Sequence, residues 1–327
     1  MAKLYLQALG GLGARINTLL SVLYGLDVNK LPHELCVYWP LNIKHINRSN
    51  RRKRESIFAA KLEDLYEVKR PICYIEAEEF ADAISKHTVY DLEHTQAPGR
   101  DPLTRQSIPF CTQPHHESFC VQGHQWMNID GLHSKVLHHF SSTYDNNLKL
   151  KPEAEEARDL VIKKFSNRRV IGLYIRQATT NRAVRSWRAY ERMLPLIRKE
   201  ALEDSSTLFF VCADDPSYVR LIYKELLDID KSERTERLIV VPKPNRFNDI
   251  REMLCVTADI ELMRHVDEFY PTWNSGLGVL MTALRKEKFD CYGNTTKLGG
   301  GVFKKDAAAL CQSSSDPLEQ GGWILTQ

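Results

Sequence analysis

The chain has 327 residues, 43% of them hydrophobic and 27% charged, with a formal net charge of +3. That length exceeds one small core, so two domains are expected. The near-neutral balance gives no general attraction to nucleic acid or an anionic membrane, yet permits a local basic site for a phosphate-bearing ligand. The 8 cysteines are scattered singly, which fits reduced thiols, and no stretch approaches the roughly 20 apolar residues of a spanning helix. The opening "MAKLYLQALGGLGARINTLLSV" carries Gln7, Arg15 and Asn17 where a secretory signal would be continuously apolar, so a cytoplasmic location is expected.

In chain order, "KLYLQAL" reads as a strand, "GGLG" as a turn, "ARINTLLSVLYGL" as a helix and "ELCVYWP" as a second strand, which is a βαβ unit. "PICYIE" and "AEEFADAISKH" add a strand and a helix. The basic run "NRSNRRKRES" reads as a solvated loop or a contact for an acidic acceptor, not a nucleic-acid patch. From about Thr88 to Asn128 the chain is rich in Pro, His and Gln without periodicity and reads as a long irregular loop. Within it "CTQPHHESFCVQGH" sets Cys111, His115, His116, Cys120 and His124 at ligand-like spacings but lacks the paired C-x-x-C of a zinc site. A polar acceptor loop is preferred there and no metal is expected. Helical patterns return at "DGLHSKVLHHFSSTY" and "PEAEEARDLVIKKF", the second charged enough to be an exposed connector. The break falls near Leu150, giving domains 1–150 and 151–327.

The second half alternates strand and helix: "RVIGLYI", "WRAYERMLPLIRKEAL", "TLFFVCA", "PSYVRLIYKELL", "RLIVVP", "FNDIREMLCVTADIELMR", a short strand near "HVDEFY", "SGLGVLMTALR" and "KFDCY". Such alternation predicts a parallel, doubly wound sheet. Tyr190, Met193, Leu194 and Ile197 follow helical spacing and read as core, and Trp39 and Trp187 as packing residues.

Ligands of open parallel sheets sit at the carboxyl ends of the strands, so the residues that follow each strand are the informative ones. Arg176 follows "RVIGLYI", Asp214 and Asp215 follow "TLFFVCA", and Thr272, Trp273, Asn274 and Ser275 precede a helix start in "YPTWNSGLG". The turn with Gly11 and Gly13 feeds a helix N-terminus, where free amides and the dipole favour an anion, although a tight turn alone would also need glycine. It is not a dinucleotide fingerprint, because Ile16 stands where the third glycine would be.

Taken in order, "GGLGARINTLLSVLYGL…LCVYWP", "VIGLYIRQATTNRAVRSW", "FFVCADDPSYVRLI" and "YPTWNSGLGVLMTAL" resemble the fucosyltransferase-like glycosyltransferases related to nodulation and protein O-fucosyltransferases. The resemblance implies a GT-B fold: two Rossmann-like domains facing each other across a cleft, with the last helix packing back on the first. It also implies a nucleotide-sugar donor, typically GDP-fucose, held mainly by the second half, a glycan or other hydroxyl acceptor on the first, and inverting chemistry without metal or further cofactor. Arg176 matches the family's diphosphate-contacting arginine and is the expected catalytic residue. Gly11, Gly13, Arg15, Tyr174, Asp214, Asp215, Thr272, Trp273, Asn274 and Ser275 complete the expected donor site. The chain departs from the family at Tyr174, where His is usual, at "RQATTN", where "RRTDN" is common, and at Ala14, where Asn is common. A non-catalytic nucleotide-sugar or glycan-binding protein would fit the altered motif. A dinucleotide-dependent Rossmann enzyme would explain the glycine turn but not Arg176, the Asp pair or "TWNSG".

Overall fold

The alternation in "KLYLQ" makes β1 (Lys3–Gln7) a strand whose Leu4 and Leu6 are wholly buried while Lys3, Tyr5 and Gln7 are half-buried. The structure, a computed structural model, describes residues 2–8, 11–28, 30–46, 53–57, 60–91, 117–122, 141–175, 183–213, 216–241, 250–271 and 276–285. They fall into two compact units, one within Met1–Glu155 and Lys243–Thr257, the other within Glu156–Pro242 and Ala258–Gln327.

In the first unit β1 leads into α1 (Leu12–Val28), β2 (Glu34–Tyr38), the hairpin β3 (Asn42–Ile46) and β4 (Lys53–Ile57), and α2 (Leu62–Leu65). There follow β5 (Tyr66–Val68), β6 (Ile72–Tyr74), α3 (Ala77–Lys86), β7 (Thr88–Asp91), β8 (Phe119–Gln122) and β9 (Leu148–Leu150). Five strands make one sheet in the order β6-β2-β1-β8-β7, and every pairing in it is parallel. β5 and β9 pair antiparallel apart from it. Leu12, Ile16, Leu19, Leu20, Val22, Leu23 and Leu26 of α1 are all buried, as are Arg15, Asn17, Thr18 and Ser21, so this helix is enclosed on every side.

Two expectations change here. The stretch from Thr88 is not one irregular loop, because β7 and β8 lie within it and β8 pairs directly with the central β1. "FCVQ" is too short to show a period, and of its two pairing partners the central β1 is more than a hundred residues away. The end of the basic run is likewise a strand, since β4 pairs with β3 from Asn42↔Ile57 to Ile46↔Lys53.

The second unit carries α4 (Pro152–Ile162), β10 (Val170–Ile175), α5 (Ala183–Glu203), β11 (Leu208–Ala213), α6 (Pro216–Asp230), β12 (Leu238–Ile239), α7 (Ile250–His265), β13 (Glu268–Pro271) and α8 (Gly276–Leu284). The division between the units runs through α4 and α7. Four parallel strands are ordered β12-β11-β10-β13. All six residues of β10 and of β11 are buried, as a sheet covered on both faces requires. On one face Ile171, Leu173, Ile175, Phe209 and Val211 pack with Tyr190, Met193 and Ile197 of α5 and Tyr218, Ile222 and Leu226 of α6. Leu194 packs at the margin of the same cluster, and Trp39, in the first unit, is buried, as their spacing and size suggest. On the other face α7 closes on Gly172, where an added Cβ would lie 2.6 Å from Met263 Sδ and 2.9 Å from Val266 Cγ2.

The amino edge of this sheet is tied by two buried arginines, Arg237 and Arg285, and by the half-buried Arg169. Arg237 donates to the carbonyls of Thr207, Ala201 and Asp204 and pairs with Asp230 at 2.7 Å. Arg285 donates to the carbonyls of Met263 and Asp267, and Arg169 bridges Glu200 and Glu268. Two of these acceptors, the carbonyls of Ala201 and Met263, lie in the last turns of helices, where they have no partner within the helix. The strand expected at "KFDCY", the last helix and Trp187's side chain lie outside the described residues.

Candidate functional site

β10 stands between β11 and β13, and the register sets Ile175 against Ala213 and Tyr174 against Pro271. Three parallel strands therefore end side by side at the carboxyl edge of one sheet. The residues next in sequence are Arg176, Asp214 and Thr272, the starts of the three segments expected to hold a ligand. From β10 the chain moves outward through β11 to β12 and then returns to the opposite side at β13. That reversal is the switch point at which open parallel sheets take their ligands. Arg176, Asp214, Asp215, Thr272, Trp273, Asn274 and Ser275 themselves lie outside the described residues.

The helices that follow these strands share an electrostatic property. α5, α6 and α8, which follow β10, β11 and β13, have no acidic residue in the first turn, and neither does α1 after β1. Elsewhere, α3 begins with Glu78 and Glu79, α4 with Glu153 and Glu155, and α7 with Glu252. Acids at a helix start offset the positive end of its dipole, so α1, α5 and α8 keep that field for whatever lies beyond the strand ends, whereas Asp214 and Asp215 stand directly before α6 in sequence and oppose its field.

Tyr174 is wholly buried in β10 and faces the α7 side, since the opposite face belongs to Ile171, Leu173 and Ile175. Its register neighbour Cys212 donates its thiol to Asp259 Oδ2 of α7 at 3.0 Å, and Asp259 is itself wholly buried. No motif marks Asp259. Its signal is an acid within the apolar run "MLCVTADIELM", which an exposed helix face would not explain.

In the first unit the glycine turn follows the central strand. Gly11 is exposed and accepts the first helical bond, from the Arg15 amide at 3.1 Å, while Gly13 is buried. Arg15 has 0% exposure. Its Nη2 donates to the Pro40 carbonyl at 2.7 Å, and its guanidinium carbon lies 4.9 Å from the Trp39 ring centre. Trp39 in turn donates Nε1 to the Ala60 carbonyl at 3.1 Å. Burial pushes the Arg15 guanidinium down to about 9, so it remains cationic at neutral pH. The side chain thus ties the first turn of α1 to the exit of β2, and the glycine turn presents main chain at that edge. Of the ligand-like set in the middle stretch, Cys120 is wholly buried in β8, and Cys111, His115, His116 and His124 lie outside the described residues.

No helix among the described residues is long and apolar enough to cross a membrane. No protein-family model matches the chain, and no curated protein does. Among solved structures, the fucosyltransferase NodZ from Bradyrhizobium is similar over 86% of this chain and 92% of its own, with a TM-score of 0.54 and 15% identity. NodZ alpha-1,6-fucosyltransferase soaked with GDP-fucose is similar over 87% of this chain and 93% of its own, with a TM-score of 0.52 and 14% identity. The same enzyme co-crystallised with GDP gives a TM-score of 0.53 at 14% identity, over 86% and 92%. The chain has the α/β, GT-B type fold of fucosyltransferase-like glycosyltransferases.

Proposed function

We propose that this protein is an inverting glycosyltransferase that moves fucose, or a related sugar, from a GDP-sugar to a hydroxyl of a glycan or similar acceptor. The observation that carries this reading is the carboxyl edge of the second sheet: three adjacent strand ends lead into Arg176, Asp214 and Thr272, and α5 and α8, which follow the first and the last of them, begin without acids. Such an edge suits a diphosphate. The donor belongs to the second unit, with Arg176, Asp214, Asp215 and the segment Thr272, Trp273, Asn274 and Ser275. The first unit, whose glycine turn holds Gly11 and Gly13, takes the acceptor. The bond from the anomeric carbon to the diphosphate oxygen breaks, the departing GDP keeps the electron pair, and the acceptor oxygen attacks from the opposite face and passes its proton to solvent. Arg176 and the helix-end amides stabilise the charge that grows on the leaving group, which removes the need for a divalent metal.

The buried Tyr174, standing where the resembled family usually has His, favours one alternative, a protein that binds the same donor without turnover. Thermal unfolding with a chelator present, with GDP, UDP and ADP compared, tests the donor assignment. GDP at about 100 times its Kd adds about 2.7 kcal/mol of stability, whereas a strict metal requirement or a preference for UDP or ADP contradicts it. Release of free sugar from GDP-fucose separates enzyme from binding protein.

A further inference from the structure

β2 and the edge strand β6 are paired at Leu35↔Ile72 and Cys36↔Cys73. Glu34 is two residues before Cys36 and so lies on the same face of the sheet. One donor atom from each of Glu34, Cys36 and Cys73 lies within 4.8 Å of the other two. Tyr5, Tyr38, Phe80 and Ile84 pack about Cys36 from the same side. Cys36 is wholly buried, Cys73 partly exposed, and the Glu34 side chain 39% exposed, so the group has an apolar floor and one open side. Lys3 pairs with Glu34 in register and places Nζ 3.8 Å from its carboxylate. Glu34 opens β2, and Cys36 and Cys73 are the middle residues of β2 and β6.

We propose that Glu34, Cys36 and Cys73 form a zinc site that clips the edge strand β6 to β2. Zinc bonds of about 2.3 Å to sulphur and 2.0 Å to oxygen, in tetrahedral geometry, bring the donor atoms to about 3.5–3.8 Å apart, a closure of roughly 1 Å that side-chain rotation supplies. On binding, two S–H bonds break and their protons pass to solvent, while two Zn–S bonds and one Zn–O bond form and water takes the fourth position. Two thiolates, a carboxylate and Zn²⁺ sum to one negative charge, which the Lys3 ammonium balances. Without metal, burial and the neighbouring Cys73 push the Cys36 thiol up to about 12, so it stays protonated and unreactive. An apolar shell around the sulphurs limits solvent access to the metal once it is bound.

The test is a Zn²⁺ titration of the full chain after chelator treatment, read by bound metal and by melting temperature. Cys73→Ser changes a partly exposed side chain and leaves the strand pairing in place. It should bind one zinc fewer than the wild type and lose the zinc-dependent rise in melting temperature. Glu34→Gln should weaken the same site by more than the roughly 10–100-fold that loss of an outer-shell partner costs. Cys255, a partly buried cysteine of α7, serves as the control: Co²⁺ should give a thiolate-to-metal absorption band in the wild type and in Cys255→Ser, and not in Cys73→Ser. Equal zinc content and affinity in the wild type and a folded Cys73→Ser protein would overturn the assignment, as would a cobalt spectrum without the thiolate band.

Discussion

Arg237 and Arg15 are both buried guanidiniums bonded to main-chain carbonyls, but they serve opposite edges of their sheets. Arg237 sits at the amino edge of the second sheet, where it and Arg285 collect carbonyls from helix ends and strand starts. Arg15 sits at the carboxyl edge of the first, between the glycine turn and the exit of β2. The second unit thus places these structural arginines on one side and leads its polar segments out on the other. The first spends an arginine on internal support beside its glycine turn. A basic residue next to a phosphate-like turn in sequence is therefore weaker evidence for ligand contact than one that follows a fully buried central strand.

The largest expected effect that would break this comparison comes from Arg237→Met. It leaves Asp230 with the Thr235 hydroxyl but without its cationic partner and strips three carbonyls of a donor, so unfolding in urea should show a loss of about 3–5 kcal/mol with GDP affinity unchanged in the folded protein. A loss below about 1 kcal/mol would mean that the amino edge is not held this way. Arg15→Met comes next, removing a charged hydrogen bond and a cation–π contact for about 2–3 kcal/mol. If Arg15 acts only as internal support, the stabilisation by GDP survives in this variant. Its disappearance in a folded protein would move Arg15 into the donor site.

The smallest effect concerns acid stability. The Ser206 hydroxyl and amide and the Thr207 hydroxyl all donate to Asp204, holding its carboxyl at about 2, below its ordinary 3.8. A depressed carboxylate contributes stability above its unfolded value and loses it as pH falls through the folded one. The gap in melting temperature between the wild type and Asp204→Asn should therefore be widest above about pH 4 and close toward about pH 2. A gap independent of pH across that window would remove the charge from the explanation.

The second unit was largely legible in the sequence, because strands such as "VIGLYI" and "LFFVCA" are continuous apolar runs and the helices between them are long enough to show their period. The first unit was less so. β7 and β8 are four residues each and owe their place to pairing with strands far away in sequence, and β4 is built from "KRESI", whose charges read as loop. The position of Arg176 after a buried central strand could be inferred from the sequence. The use of Arg15 could not, since it depends on the carbonyl of Pro40 and the ring of Trp39, residues that only the fold brings to α1. Asp259 needed the register of β10 with β11 before its meeting with Cys212 had meaning.

The most direct test of the central claim is turnover by Arg176→Lys, measured as transfer, or as hydrolysis of GDP-fucose while the acceptor is being identified, alongside a melting curve. Lysine keeps the charge but loses the two parallel hydrogen bonds of the guanidinium, whose strength rises as the leaving group gains charge. The account predicts a well-folded protein whose rate falls about 10²–10³-fold, or roughly 3–4 kcal/mol of transition-state stabilisation, with a smaller loss of donor affinity. Near-normal turnover in a folded Arg176→Lys protein would contradict it.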